Sequence, residues 1–149
     1  MEKLFVEQSI VINAPAAIVW EVLTHPGLNV QWIREWWPEI KEVKSEWKTA
    51  GPVTWITEDG ETGAEGKVFI SSPPVMLSFS FKVNVPDMEK QEDITYKLEE
   101  TECDTTLYVS VGDFGDTPEH MACYPGAVES WEKSLPQIKR LAEQSIVQL

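Results

Sequence analysis

Positive charge is scarce in this chain: lysine and arginine together number 12 against 25 acidic residues, a formal net charge of −13 over 149 residues. A field of that sign repels nucleic acid and anionic membrane surfaces, so neither is expected as a partner. Histidine and cysteine are scarcer, at two each. Cys103 and Cys123 have no CxxC spacing, and a pair of reduced thiols is the expectation. No His/Cys/Asp cluster has the spacing of converging metal ligands, and no metal and no cofactor is expected. GxSxG elbows, phosphate loops and dinucleotide fingerprints are also missing. Long apolar runs are absent, and the opening Met1-Glu2-Lys3-Leu4-Phe5-Val6-Glu7 has neither an apolar core nor a cleavage site. No membrane span and a cytoplasmic location are the expectations.

What the chain does have is length enough for one domain, 1–149, with a core that needs neither disulfide nor metal. It also has seven tryptophans, a high number for its size. Its tail, Tyr124 to Leu149, carries an apolar stripe at three-four spacing through Met121, Tyr124, Val128, Trp131, Leu135, Ile138 and Ala142. Glu129, Glu132, Lys133, Lys139, Arg140 and Glu143 fill the opposite face. Such a stripe needs a cover, and the strand-rich residues before it supply a curved sheet.

In chain order, Leu4 to Ile12 reads as a half-buried strand. Asn13-Ala14-Pro15 opens a helix whose apolar side is Ile18, Val19, Val22 and Leu23. It stops before His25-Pro26-Gly27, because the residue before proline is pushed out of the α region. A second short helix is expected over Leu28 to Trp32. From Glu39 the period becomes two, with strands expected at Ile40 to Trp47, Val53 to Thr57, Ala64 to Ser71, Met76 to Lys82, Gln91 to Glu100 and Thr105 to Val111. Ala50-Gly51-Pro52, Glu58-Asp59-Gly60, Ser72-Pro73-Pro74 and Val85-Pro86-Asp87 are the turns between them. Short connections make the sheet antiparallel. Thr117 caps a separate turn from Pro118 to Cys123, and the main helix starts near Pro125. Pro136 lies inside that helix and predicts a bend.

Ile10-Val11-Ile12-Asn13-Ala14-Pro15, then Val19-Trp20, Leu23-Thr24, Pro26 and Trp32, resembles the opening of the START-like superfamily. More narrowly it is similar to the heat-shock protein 90 ATPase activator homologue-like branch. Gly66-Lys67-Val68, Pro73-Pro74, Leu77 and Phe79-Ser80-Phe81 resemble the branch's middle motif. Ile94-Thr95-Tyr96-Lys97-Leu98-Glu99, Thr106-Leu107 and Asp113-Phe114 resemble its last hairpin, and Trp131, Ser134-Leu135, Ile138-Lys139, Leu141 and Glu143 its terminal helix. Ser130 departs from the pattern, standing where members commonly carry glycine. The resemblance implies an α+β helix-grip fold: a curved antiparallel sheet wrapped around a long C-terminal helix, with two short helices after the first strand. It also implies a ligand cavity between sheet and helix in many relatives.

Residues expected to border that space are Trp32, Trp36, Trp37, Trp55, Phe69, Phe79, Phe81, Tyr96, Tyr124, Val128, Trp131 and Leu135, with Trp47 beside them. Aromatic rings there give apolar contact with polar edges for orientation, or they simply fill the core. Glu35-Trp36-Trp37-Pro38 is a candidate entrance, since adjacent tryptophans in a loop cannot both face one core. Glu58, Asp59, Glu92 and Asp113 are candidate buried acids, and His25 and His120 sit at helix boundaries suited to hydrogen bonding. None of these forms a recognisable catalytic constellation. Three classes of function remain: binding of a small hydrophobic or aromatic ligand, a cyclase- or hydrolase-type enzyme on the same fold, and a chaperone-regulating module with the chaperone as partner.

Overall fold

In the computed structural model, which describes residues 3–84, 91–115 and 117–147, the strands form one sheet gripping the C-terminal helix. The elements run β1 (Val6–Ile12), α1 (Ala16–Thr24), α2 (Pro26–Ile33), β2 (Ile40–Lys44), β3 (Pro52–Thr57), β4 (Thr62–Ser72) and β5 (Met76–Val83). Then come β6 (Gln91–Glu100), β7 (Thr105–Gly112), α3 (Pro118–Met121) and α4 (Tyr124–Val147). The sheet has seven strands in the order β1-β7-β6-β5-β4-β3-β2, every pair antiparallel. Hairpin connections build all of it from β2 to β7, and β1 returns beside β7 with Val6 opposite Val111.

Alternation decides which side chains meet the helix. Val53 and Trp55 of β3, Ala64 and Val68 of β4, Leu77, Phe79 and Phe81 of β5, Ile94, Tyr96 and Leu98 of β6, and Leu107, Val109 and Val111 of β7 are buried. α4 lays Trp131, Leu135, Ile138, Leu141 and Ala142 onto them, a single stripe at helical spacing, and packs against β1, α1 and α2. The helix continues through Pro136 as one element of 24 residues. Along β1, Gln8 Nε2 donates to the Val128 carbonyl and Asn13 N–H to the Glu143 carboxylate, fixing α4 beside that strand.

Several boundaries differ from the sequence reading for identifiable reasons. α2 begins at Pro26 because His25 caps it, its Nδ1 accepting from Gly27 N–H at 3.0 Å. β2 ends at Lys44, short of Trp47. Trp47 has φ +55°, its carbonyl accepts from Ser71 Oγ at 2.6 Å, and its indole turns to α1. β4 passes close to β5 at Gly66, where a Cβ would lie 1.7 Å from the Ser80 carbonyl oxygen, which only glycine avoids, and the register between the two strands shifts further on, between Val68 and Ile70. Thr117 caps α3, its Oγ1 accepting from His120 N–H. The turn expected at Val85-Pro86-Asp87 lies outside the described residues.

Candidate functional site

The carbonyls at the C-terminal end of α1 have no partner inside the helix. Tryptophans supply partners for two of them: Trp32 Nε1–H donates to Val22 O at 2.9 Å and Trp47 Nε1–H to Thr24 O at 3.0 Å. These bonds swing both rings under α1 and into the space between sheet and α4. α2 presents Asn29, Trp32 and Ile33 to the same space at i, i+3 and i+4, and Trp36 follows in the loop.

Around this point the rings form a continuous wall. Trp131 lies 5.9 Å from Trp32 and 6.0 Å from Tyr96, centroid to centroid. Phe79 lies 5.7 Å from Tyr96, 5.3 Å from Trp47 and 5.9 Å from Trp55. Phe81 meets Trp55 edge to face at 4.8 Å and Trp36 at 6.2 Å. Tilted and edge-to-face pairs are the favoured aromatic geometries, and here they close on a void of about 20 Å³. Leu23, Asn29, Ile33, Val43 and Ile94 complete its lining with the aromatic residues. That volume has room for one water molecule, so rings fill most of the interior. Larger hollows of about 490, 480 and 510 Å³ are open grooves on the outer surface.

Besides the indole N–H groups of the tryptophans, two polar groups line the void. Asn29 is 1% exposed, and neither its Nδ2 nor its Oδ1 has a hydrogen-bond partner. Leaving a buried amide unpaired costs about 1–3 kcal/mol, which makes this residue the anomaly of the core. The Tyr96 hydroxyl is the other, and burial alone pushes its pKa far above the ordinary tyrosine value. Among the described residues, no charged side chain lines the void.

Trp36 stands at the rim, half-buried. Its ring touches Trp37 at 5.7 Å and Phe81, and no hydrogen bond holds its indole among the described residues. Trp37 is half-buried outside the lining, pressed on Gly63, where an added Cβ would fall 2.5 Å from its ring.

The void thus gathers Trp32, Trp36, Trp55, Phe79, Phe81, Tyr96 and Trp131 from the residues expected around it, together with Trp47. Others lie elsewhere. Phe69 is a correction: it is 43% exposed on the opposite face of the sheet, because Val68 takes the inward position facing Phe79 and a neighbour in a strand points away. Leu135 is buried in the core beyond the void, Val128 is half-buried near β1, and Tyr124 packs on Phe114 at 6.0 Å. The sequence reading missed Leu23, Asn29, Ile33, Val43 and Ile94 of the lining, and Asn29 is the polar one among them. Its signal was a polar side chain in helical phase with Trp32, Ile33 and Trp36.

The candidate acids lie away from the void. Glu58 and Asp59 are exposed, and the Thr57 hydroxyl, with the Glu61 N–H, holds Asp59 below the usual carboxylate range. Asp113 Oδ1 accepts from Leu4 and Gly115 N–H groups at 2.8 and 2.7 Å, closing the loop after β7. Glu92 Oε1 lies 2.7 Å from Nε2 of the buried His120, whose ring packs on Phe114 at 4.8 Å. His120 thereby anchors α3 to β6. Among the described residues, no group of three or more His, Cys, Asp and Glu side chains could hold a metal, and no helix is long and apolar enough to cross a membrane.

A curved antiparallel sheet closed on a long C-terminal helix, with two short helices after its first strand, defines the chain as a START-like helix-grip protein. Residues 13–143 match the family model described as activator of Hsp90 ATPase homolog 1-like protein, and the chain belongs to that family. Protein MLL2253 from Mesorhizobium loti has a similar structure, with TM-score 0.77 and 20% identity over 95% of this chain and 98% of that one. The Aha1 dimer from Colwellia psychrerythraea aligns with TM-score 0.67 and 18% identity, over 91% of this chain and 93% of that one. CalU16 from Micromonospora echinospora aligns with TM-score 0.68 and 16% identity, over 99% of this chain and 88% of that one. At these identities the likeness concerns the fold. No curated protein matches the chain in sequence.

Proposed function

We propose that this domain binds a small, largely aromatic molecule in the chamber between sheet and α4, and that its resting form is closed by its own rings. The observation that carries the reading is the unpaired Asn29 amide set in an aromatic wall. A core selected only for stability gains nothing from such a group, whereas a binding site uses one to orient its ligand. Trp36 is the movable part. It rests at the rim on ring contacts alone, while Trp32 and Trp47 are each tied by an indole hydrogen bond.

The test is a titration with 2-naphthol, a neutral bicycle, followed by tryptophan fluorescence. A saturable response, strengthened in Trp36→Ala by the opened rim, is the expected result. A flat response from both proteins, extended to a broad panel of neutral aromatic compounds, overturns the reading.

A cyclase- or hydrolase-type reaction has less support, because among the described residues the only titratable group lining the void is Tyr96 and burial holds its proton in place. A chaperone-regulating role draws on the family's name and on the nearly filled interior. Capture of the heat-shock protein 90 chaperone by the intact domain, with no ligand response, is the result that would favour it.

A further inference from the structure

The chamber's chemistry narrows what it would hold. Asn29 carries one acceptor oxygen and an NH2 donor side by side in a plane, and both are unpaired at 1% exposure. A partner that satisfies both must present a donor and an acceptor next to each other on one edge. A ketone alone would leave half the amide unpaired, and a single hydroxyl meets both atoms only through bent hydrogen bonds, whereas a cis-amide edge meets both in line.

The described walls of the chamber carry no charge. Leu23, Ile33, Val43, Ile94 and the surrounding rings offer no counter-ion, so an ionised ligand would lose its hydration without compensation. Size follows from the rim. The void itself is about 20 Å³, too small for a ring, and the side chain best able to leave is the Trp36 indole. Its departure vacates the room of one fused bicycle. Ring walls on the remaining sides favour a flat guest over a branched one.

We infer that Asn29 is a specificity-determining residue that reads the cis-amide edge of a neutral, flat, bicyclic lactam occupying the place the Trp36 indole holds at rest. This rests on the binding function proposed above and adds to it the polar edge and size of the ligand. In the complex, Asn29 Nδ2–H donates to the lactam carbonyl and Oδ1 accepts the lactam N–H. The two bonds pair groups that are otherwise buried without partners, on the protein side at no further desolvation cost.

Three probes of one size test the inference: 2-quinolinone, its N-methyl derivative and naphthalene. Dissociation constants are read from the indole N–H resonances of the intact protein, for the wild type and for Asn29→Leu. The expected result is that 2-quinolinone binds the wild type at least about tenfold tighter than either analogue, the difference two neutral hydrogen bonds supply. In Asn29→Leu, which keeps the branching at Cγ, removes the polar atoms and adds some bulk, the preference for 2-quinolinone over naphthalene should vanish.

Equal affinity of the wild type for all three probes overturns the lactam inference and leaves the binding function standing. No binding of any probe, together with a flat response to the broader aromatic panel, overturns both. If Asn29→Leu fails to fold, the N-methyl comparison on the wild type decides alone, since methylation removes the donor and leaves the rings in place.

Discussion

The two ends of α4 meet the rest of the protein through different materials. Toward Glu143 the helix is packed by aliphatic side chains: Ile12, Val19, Val22, Leu107 and Ile138 are fully buried. Toward Tyr124 it meets rings, with Trp131 between Trp32 and Tyr96 and the small void beyond. Branched aliphatic side chains interdigitate to crystal-like density and have no polar atoms to satisfy. Flat rings meeting at fixed tilts leave gaps, and indoles need acceptors. The carbonyls ending α1 accept from two of them, while the Asn29 amide is left unpaired. One end of the helix is therefore packed without polar atoms to satisfy, and the other gives up some stability to a polar group left unpaired inside.

Trp131→Ala should produce the largest effect, because it removes the ring that joins the two materials. The void leaves little room to soften the loss, so the cost should be about 3–5 kcal/mol, read from denaturant unfolding. A loss below about 2 kcal/mol would mean that the rings move freely to refill the space, erasing the contrast with the aliphatic end. The same variant should lose any fluorescence response to 2-naphthol.

Asn29→Leu is expected to act in the opposite direction. Removing an unpaired buried amide should raise stability by about 1–3 kcal/mol in the ligand-free protein, less the packing cost of the bulkier leucine, which the adjoining void takes up in part. Few core substitutions stabilise. A measured loss would show that Asn29 is satisfied in solution and that the aromatic end is as well matched as the aliphatic one.

How far this division could be read beforehand differs between its halves. The three-four stripe from Trp131 to Ala142 and the alternation of Leu77, Phe79 and Phe81 named the core, because period alone fixes which face is buried. The adjacent Trp36 and Trp37 are expected to divide between core and surface, yet both rings meet Phe81. Phe69 was misplaced because its aromatic character was weighed over its phase relative to Val68. Asn29 was legible in principle, being in phase with Trp32, Ile33 and Trp36, but nothing local says that a helical asparagine will find no partner. That fact depends on what β3, β5 and α4 bring opposite it, which is set by register. Trp47 is similar: its left-handed backbone and its bond to Thr24 O are tertiary in origin.

At the aliphatic end, trimming one methylene should be felt but modestly. Ile138→Val is expected to cost about 0.5–1.5 kcal/mol, since the site is fully closed and cannot collapse on the small gap. Thermal and denaturant midpoints should fall together with the denaturant slope unchanged, as for a pure stability change. A negligible effect would imply slack at this end as well.

The smallest effect expected is electrostatic and lies at the outer edge of the aliphatic end. The Glu143 carboxylate accepts from Lys139 Nζ, one turn earlier on α4, and from the Asn13 N–H just past β1 at 2.9 Å. The Lys139 bond first, and the Asn13 bond second, hold its pKa below the model value of 4.5. A carboxyl with a depressed folded-state pKa binds its proton more weakly folded than unfolded. Its contribution is therefore complete above pH 4.5 and is lost as pH falls through the depressed value. The side chain is about one-third exposed, so solvent screening keeps the contribution below about 1 kcal/mol. Glu143→Gln should accordingly be slightly less stable than the wild type at pH 7, and the gap should close as the solution is acidified. Salt should narrow the gap at neutral pH by screening the Lys139 pair. A difference that persists unchanged into acid would show that Glu143 holds α4 to the end of β1 through packing, and that this edge depends on contact as fully as the aliphatic core beside it.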